Sequence, residues 1–310
     1  MSATVQTHPL ISIHSEATVQ EAARLMADCS MGAVGVVGAN KEFAGIVTER
    51  DLSWFVAQAK DAAAIKVAEI VNDFPVVVEG PIEDADALER MRTARIRHLI
   101  VREGDEFRIV SLRDYNLARP SGIKEPTARD MMTAPGVACR DEAFFEEVAE
   151  VLADRDISGM PVVDAFGKVV GVISERDLAH ALGGPMVRLA VRRHNHGSFM
   201  RDIHDMPRGA RRAKDVMTSP PLTVTPDARL EEIARLMRIH QINRVPVVDS
   251  ERLMGVVTRG DVLGAIGHLN HAEIDLTQPL VLVGSAGMHP SAHLNPEDRL
   301  TREDDRRNRR

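Results

Sequence analysis

Four copies of one short pattern constrain this chain more than any other feature. Gly45-Ile46-Val47-Thr48-Glu49-Arg50-Asp51-Leu52 returns as Gly171-Val172-Ile173-Ser174-Glu175-Arg176-Asp177-Leu178 and as Gly255-Val256-Val257-Thr258-Arg259-Gly260-Asp261-Val262. A worn copy stands at Arg108-Ile109-Val110-Ser111-Leu112-Arg113-Asp114-Tyr115. Each runs from an apolar strand end to a hydroxyl residue, then to an aspartate three residues on, and into a helical pattern. The aspartates are 63, 63 and 84 residues apart. A period of this size marks one supersecondary unit used repeatedly, and it decides the architecture.

Each unit reads as β-α-β-β-α. In the first, Thr18-Val19-Gln20-Glu21 has capping-box spacing, and Val19, Ala22, Ala23 and Met26 form one apolar helix face. Val34 to Val37 and Phe43 to Val47 are strands around the turn Gly38 to Lys41. One crossover and one hairpin per unit give sheets of mixed parallel and antiparallel pairing, an α+β fold. The boundaries expected are 5–60, 65–119, 126–182 and 213–268. An arginine-rich insertion or linker spans 183–212, and a largely disordered, charged tail spans 270–310.

Composition narrows the function. The chain of 310 residues is 44% apolar but only 3% aromatic, so its core is aliphatic and its surface lacks the stacking platforms of a single-strand binder. A formal net charge of −7 also argues against nucleic acid. Cys29 and Cys139 lie in different repeats, which suggests a reducing compartment without a disulfide framework. No apolar run of 18 residues is present, and the N-terminus lacks a basic segment followed by an apolar one. The expectation is a cytoplasmic protein that does not span a membrane. No Gly-x-Ser-x-Gly, His-Glu-x-x-His or P-loop occurs, so no catalytic residues are assigned and no enzyme is expected.

The repeated motif has two chemical readings. A hydroxyl at a strand–helix junction caps the free N–H groups of the helix, with an acid in the first turn. The same N–H groups, the helix dipole and the hydroxyl also suit a phosphate, and a carboxylate one turn on accepts hydrogen bonds from the two hydroxyls of a ribose. Capping alone would accept Asn, Glu or Gln. All four copies keep a hydroxyl and an Asp at one spacing, which favours ligand recognition.

These motifs resemble the cystathionine-beta-synthase (CBS) domain family. The resemblance rests on the four endings, on Asp130-Met131-Met132-Thr133 and Asp215-Val216-Met217-Thr218, and on Pro161-Val162-Val163-Asp164 and Pro246-Val247-Val248-Asp249. It implies four repeats in two pseudo-twofold pairs, with clefts between the members of each pair. The ligand it implies is AMP, ADP or ATP, with S-adenosylmethionine as the second choice, and no cofactor is required. By position, Thr48, Ser111, Ser174 and Thr258 are the phosphate-side residues, and Asp51, Asp114, Asp177 and Asp261 bind ribose. In the nucleotide-binding subunit of AMP-activated protein kinase, a basic pair before the central strand meets the phosphates. The matching positions here imply that role for Arg97, His98 and Arg244. Arg108 replaces the motif glycine of the second repeat, so that cleft is expected to be altered or empty. One or two competent clefts are expected.

The function implied is a stand-alone energy sensor that passes occupancy to a protein target, with a homodimer through the pairs as a further expectation. The alternatives are a scaffold with empty clefts, or nucleic-acid binding through the arginines of the insertion. His194, His196 and His204 lack a third ligand at diagnostic spacing, so no metal is assigned. Trp54 and Phe55 are expected to pack between domains, and Met131, Met132 and Met217 to fill the core.

Overall fold

The computed structural model describes residues 5–58, 60–115, 117, 125–134, 136–183, 211–266 and 281–283. In the first repeat, β2 (Ser12–His14), α1 (Val19–Asp28), β3 (Ala33–Val37), β4 (Phe43–Thr48) and α2 (Glu49–Ala57) follow in order, preceded by the two-residue strand β1 (His8–Pro9). Thr18 and Glu21 close the expected capping box on α1, and Val19, Ala22, Ala23 and Met26 are buried. β2 runs parallel to β3 and β4 antiparallel to it, as one crossover and one hairpin require.

The second repeat contains β5 (Val77–Glu79), α3 (Asp84–Thr93), β6 (His98–Glu103) and β7 (Glu106–Ser111). It departs from the expected unit in that Leu112 to Tyr115, which follow β7, form no helix among the described residues. Ser111 to Asp114 forms one turn, closed by the Asp114 N–H on the Ser111 carbonyl at 2.9 Å. The Tyr115 carbonyl accepts from Arg259 of the fourth repeat at 3.2 Å, an outlet that a helix would otherwise supply.

The third repeat contains α4 (Ala128–Met131), β8 (Val137–Arg140), α5 (Phe145–Asp154), β9 (Gly159–Val163), β10 (Val169–Ser174) and α6 (Glu175–Leu182). The fourth contains α7 (Ala213–Val216), α8 (Leu230–His240), β11 (Arg244–Asp249), β12 (Arg252–Thr258) and α9 (Arg259–Ala265). Within the stretch read as tail, β13 (Val281–Val283) adds parallel to β8. The rest of that stretch, and 184–210 of the basic insertion, lie outside the described residues.

One conformational detail recurs in every repeat. The crossover helix ends on a residue in the left-handed region: Ser30, Arg95, Asp156 and Gln241, with φ of 54°, 52°, 53° and 54°. Left-handed helix ends are common and usually carry Gly. None of these four does, so the stops carry no glycine signal.

Two kinds of contact join the repeats. Sheets pack face to face within each pair: Ala33 and Ile46 meet Ile100 and Ile109, and Ala138, Val163 and Val169 meet Val248 and Leu253. Phe43 stacks on Phe107 with ring centroids 4.2 Å apart. Helices join one pair to the other. α2 packs on α5 and α6, so that Val56 sits in the core of the third repeat and Ala179 in that of the first, beside the buried Phe55. Leu88, Met91 and Tyr115 of the second repeat share one core with Ile233, Met237 and Leu263 of the fourth. The four repeats therefore close a ring in the spatial order one, two, four, three, within a single chain.

Candidate functional site

All four motif copies stand at the end of a hairpin strand. In each, the Asp Oδ2 accepts the backbone N–H of the hydroxyl residue: Thr48 to Asp51 at 2.8 Å, Ser111 to Asp114 at 2.7 Å, Ser174 to Asp177 at 2.8 Å and Thr258 to Asp261 at 2.7 Å. Thr48, Ser174 and Thr258 also donate their hydroxyl to that same oxygen, at 2.7, 2.6 and 2.7 Å. These three are capping boxes. The cap occupies one carboxylate oxygen, and in Asp177 the other, Oδ1, faces Thr218 of the fourth repeat.

The neighbour's opening segment crosses onto the sheet beside the motif. Asn72 pairs opposite Ile46, His8 opposite Ile109, Thr133 opposite Val256 and Thr218 opposite Val172. The motif glycine admits this segment. A Cβ on Gly255 would lie 2.7 Å from the Thr133 carbonyl oxygen and 2.8 Å from Met132 Sδ, closer than packed atoms approach. Met131 and Met132 are buried, as expected of core filler.

Where Arg108 replaces that glycine, its guanidinium binds Thr7 instead, Nε to Oγ1 at 2.6 Å and Nη2 to the carbonyl at 3.1 Å. Beside it opens a cavity of about 390 Å³ between the first and second repeats, in the size range of small-ligand sites. The substitution coincides with an open cleft rather than a collapsed one. Ile11, Met31, Ala33 and Ile109 give the cavity apolar walls, and Ser111, Arg113 and Asp114 line it with His8 and His98. His8 Nε2 lies 3.2 Å from Asp114 Oδ1.

Asp177 and Asp51 stand in enclosed surroundings. Asp177 is 8% exposed, and burial pushes its carboxyl up to about 6 despite the Ser174 hydrogen bonds. Burial also raises Asp51. Thr218 Oγ1 lies 3.4 Å from Asp177 Oδ1.

The basic positions have a packing role that the sequence did not announce. A Cβ on Gly32 would sit 2.8 Å from His98 Nε2, and one on Gly159 would sit 2.5 Å from Arg244 Cζ. Each large basic residue fills the space left by the small residue of its pair-mate. Burial, with Arg97 adjacent, pushes His98 down to about 4, so its imidazole is neutral at pH 7. Arg244 is pushed down to about 10 by burial, remains a cation, and donates to the Ser158 carbonyl and hydroxyl at 2.5 Å each.

Arg97 pairs with Glu175, which is almost fully buried and also takes Arg50 Nε at 3.4 Å. In return Arg176 Nε reaches Glu49 at 2.7 Å, and Arg50 Nη1 reaches Asp156 at 2.7 Å. The identical Glu-Arg pairs of the first and third motif copies were the available signal for this cross-pair contact. His8 and Arg113 carried no comparable one. Among the described residues no group of three or more His, Cys, Asp or Glu is placed to hold a metal, and His194, His196 and His204 lie outside them.

A family model described as CBS domain matches residues 3–57, 128–184 and 213–268, more than half of the chain. The chain belongs to the CBS domain family. The matched stretches are the first, third and fourth repeats. The second CBS-like repeat, with Arg108 at the motif glycine, lies outside them. Protein YlbB of Bacillus subtilis is 32% identical over 135 residues, 43% of this chain and 78% of that protein. MJ1426 of Methanocaldococcus jannaschii is 32% identical over 153 residues, 44% of this chain and 89% of that protein. The solved structure of MJ1225 from the same archaeon matches with a TM-score of 0.67 at 21% identity, covering 84% of this chain and 96% of that one. At that identity the likeness is one of fold, and it extends over most of the CBS ring.

Proposed function

We propose that this CBS protein is a non-catalytic sensor that binds an adenosine-bearing ligand, AMP, ADP or ATP in the first instance, in the cleft between its first and second repeats. One observation carries the reading: Ser111, Arg113 and Asp114 line one cavity together with the apolar side chains of Ile11, Met31, Ala33 and Ile109. A purine suits the walls at Ile11, Met31, Ala33 and Ile109. The Asp114 Oδ1 accepts from the ribose diol while Oδ2 keeps its bond to the Ser111 N–H. Ser111 and Arg113 face the phosphate, where a guanidinium makes charge-assisted hydrogen bonds. Arg97 and Arg244 are bonded to Glu175 and Ser158 and do not line this cavity, so they stand behind Arg113, which lines it and whose guanidinium donates to the Asn243 side-chain oxygen at 3.1 and 3.2 Å. Occupancy alters the geometry of the first pair, and the helix contacts of the ring pass that change to a target protein, in proportion to the ligand's differential affinity for the two states.

The closed capping boxes at Asp51, Asp177 and Asp261 favour a structural role for those three copies, which leaves the scaffold reading as the alternative. Thermal unfolding against AMP, ADP, ATP and S-adenosylmethionine separates the two. A ligand at 100 times its Kd adds about 2.7 kcal/mol, which raises Tm by roughly 5–11 °C for a paired unit. Asp114→Asn is expected to weaken binding by roughly tenfold or more, and Asp261→Asn to leave it unchanged. No shift with any of the four ligands establishes the scaffold reading instead.

A further inference from the structure

The Asp114 oxygen assigned to the ribose is already engaged. His8 Nε2 lies 3.2 Å from Asp114 Oδ1, with the His8 side chain 47% exposed and that of Asp114 17% exposed. The other oxygen is held by the Ser111 N–H at 2.7 Å. Both acceptor atoms of the carboxylate thus have partners inside the protein, and both His8 and Asp114 line the cavity.

The fold puts His8 there by register. It pairs opposite Ile109, two residues before the motif hydroxyl Ser111. Thr218 pairs opposite Val172, which is likewise two residues before Ser174. The two residues therefore hold equivalent places in their clefts. Thr218 offers a short hydroxyl, 3.4 Å from the matching Oδ1 of Asp177. His8 offers a longer side chain, an imidazole with Nε2 3.2 Å from Asp114 Oδ1, in the cleft that holds the cavity.

The backbone of His8 is anchored while its side chain is not. β1 is held on β7, and Arg108 fixes Thr7 through two hydrogen bonds. Rotation about the side-chain bonds of His8 breaks the contact with Asp114 and leaves that pairing in place.

We propose that His8 is a resident competitor in this cleft. Its imidazole holds the carboxylate oxygen that a vicinal diol requires, so a nucleoside ligand enters only by displacing it, and residue 8 sets the affinity. The inference rests on the nucleotide reading and names how that site is tuned. Its expected effect is to move the response to higher ligand concentrations than the bare cleft would give.

Calorimetric titration of the full chain with AMP, and with adenosine as a phosphate-free probe, tests it. His8→Ala, and His8→Thr as a copy of the fourth repeat's opening, are expected to bind both roughly three- to tenfold more tightly than the unsubstituted protein, the worth of one hydrogen bond. The gain is expected to vanish when Asp114→Asn is combined with His8→Ala. Weaker binding by His8→Ala would make His8 a ligand contact and overturn the proposal. Unchanged affinity would overturn it as well, and so would an equal gain in the Asp114→Asn background, which reports freed space rather than competition. In each of those results nucleotide still binds and the sensor reading stands. Absence of binding by every variant overturns the sensor reading and this inference together.

Discussion

Asp177 does two things at once. It caps α6 through Ser174, and it carries a carboxylate into a site 8% exposed. Burial raises it from 3.8 to about 6, so between those values the folded chain keeps a proton that the unfolded chain has released. Stability contributed by this group therefore falls as pH rises from about 4 to about 6, and the cost of the charged form is fully present above that window. An Asn keeps the cap acceptor and carries no charge. Asp177→Asn is expected to stabilise the protein by about 1–3 kcal/mol at pH 8, with no gain at pH 4, measured by urea denaturation at both. Equal effects at the two pH values would show that the carboxylate is not strained. His98 acts in the opposite sense. Burial lowers it from 6.5 to about 4, so its contribution is lost as pH falls through that window. At this scale the sequence was informative about identity and silent about state. The hydroxyl–Asp spacing located the capping boxes of α2, α6 and α9, whereas the charge on His98 and the enclosure of Asp177 depend on neighbours from other repeats.

At the scale of elements, the seam between α2 and α6 organises the ion pairs. Glu49 and Glu175 stand at the first position of their helices, and each meets the arginine of the other helix. Glu175 also takes Arg97, so this one carboxylate ties three repeats together. Removing one member of a buried pair leaves an uncompensated charge and typically costs about 3–5 kcal/mol. Glu175→Ala is expected to destabilise by about that much, and Glu49→Ala by less because Glu49 is more exposed than Glu175, which also takes two arginines. Chemical denaturation of the two variants checks the order. A loss at Glu175 no larger than that at Glu49 would mean the seam is held by packing alone. The motif comparison made the repeated Glu-Arg visible, yet it did not say that the two copies touch. The turn after β7 in the second repeat is of the same kind: Leu112 to Tyr115 carries a helical pattern, but Arg259 claims the Tyr115 carbonyl.

For the whole molecule, apolar cores cross every repeat boundary that matters. The second, third and fourth repeats share one cluster through Leu88, Met131 and Ile233, and the first and third exchange Val56 and Ala179. A ring joined in this way is expected to unfold as one unit. Trp54, the single tryptophan of the chain, reports on the first repeat, whereas far-UV circular dichroism reports on all four. The two are expected to give one midpoint in urea, and separate midpoints would show that the pairs unfold independently. Among the described residues no helix is long and apolar enough to cross a membrane.

The sequence by itself determined the repeated unit, its α+β class, its capping residues and the apolar face of each helix, because those depend on residues three to seven positions apart. Val19, Ala22, Ala23 and Met26 announce a buried stripe wherever the helix ends up. The tertiary structure alone decided that the ring closes within one chain, that Arg108 accompanies an open cleft, and that His8 lies on Asp114 more than a hundred residues away. Those outcomes turn on which surfaces of nearly equivalent repeats meet. Near-identical units offer several such pairings, and only the complementary shapes and charges at the seams, His98 over Gly32 and Arg244 over Gly159, select one of them.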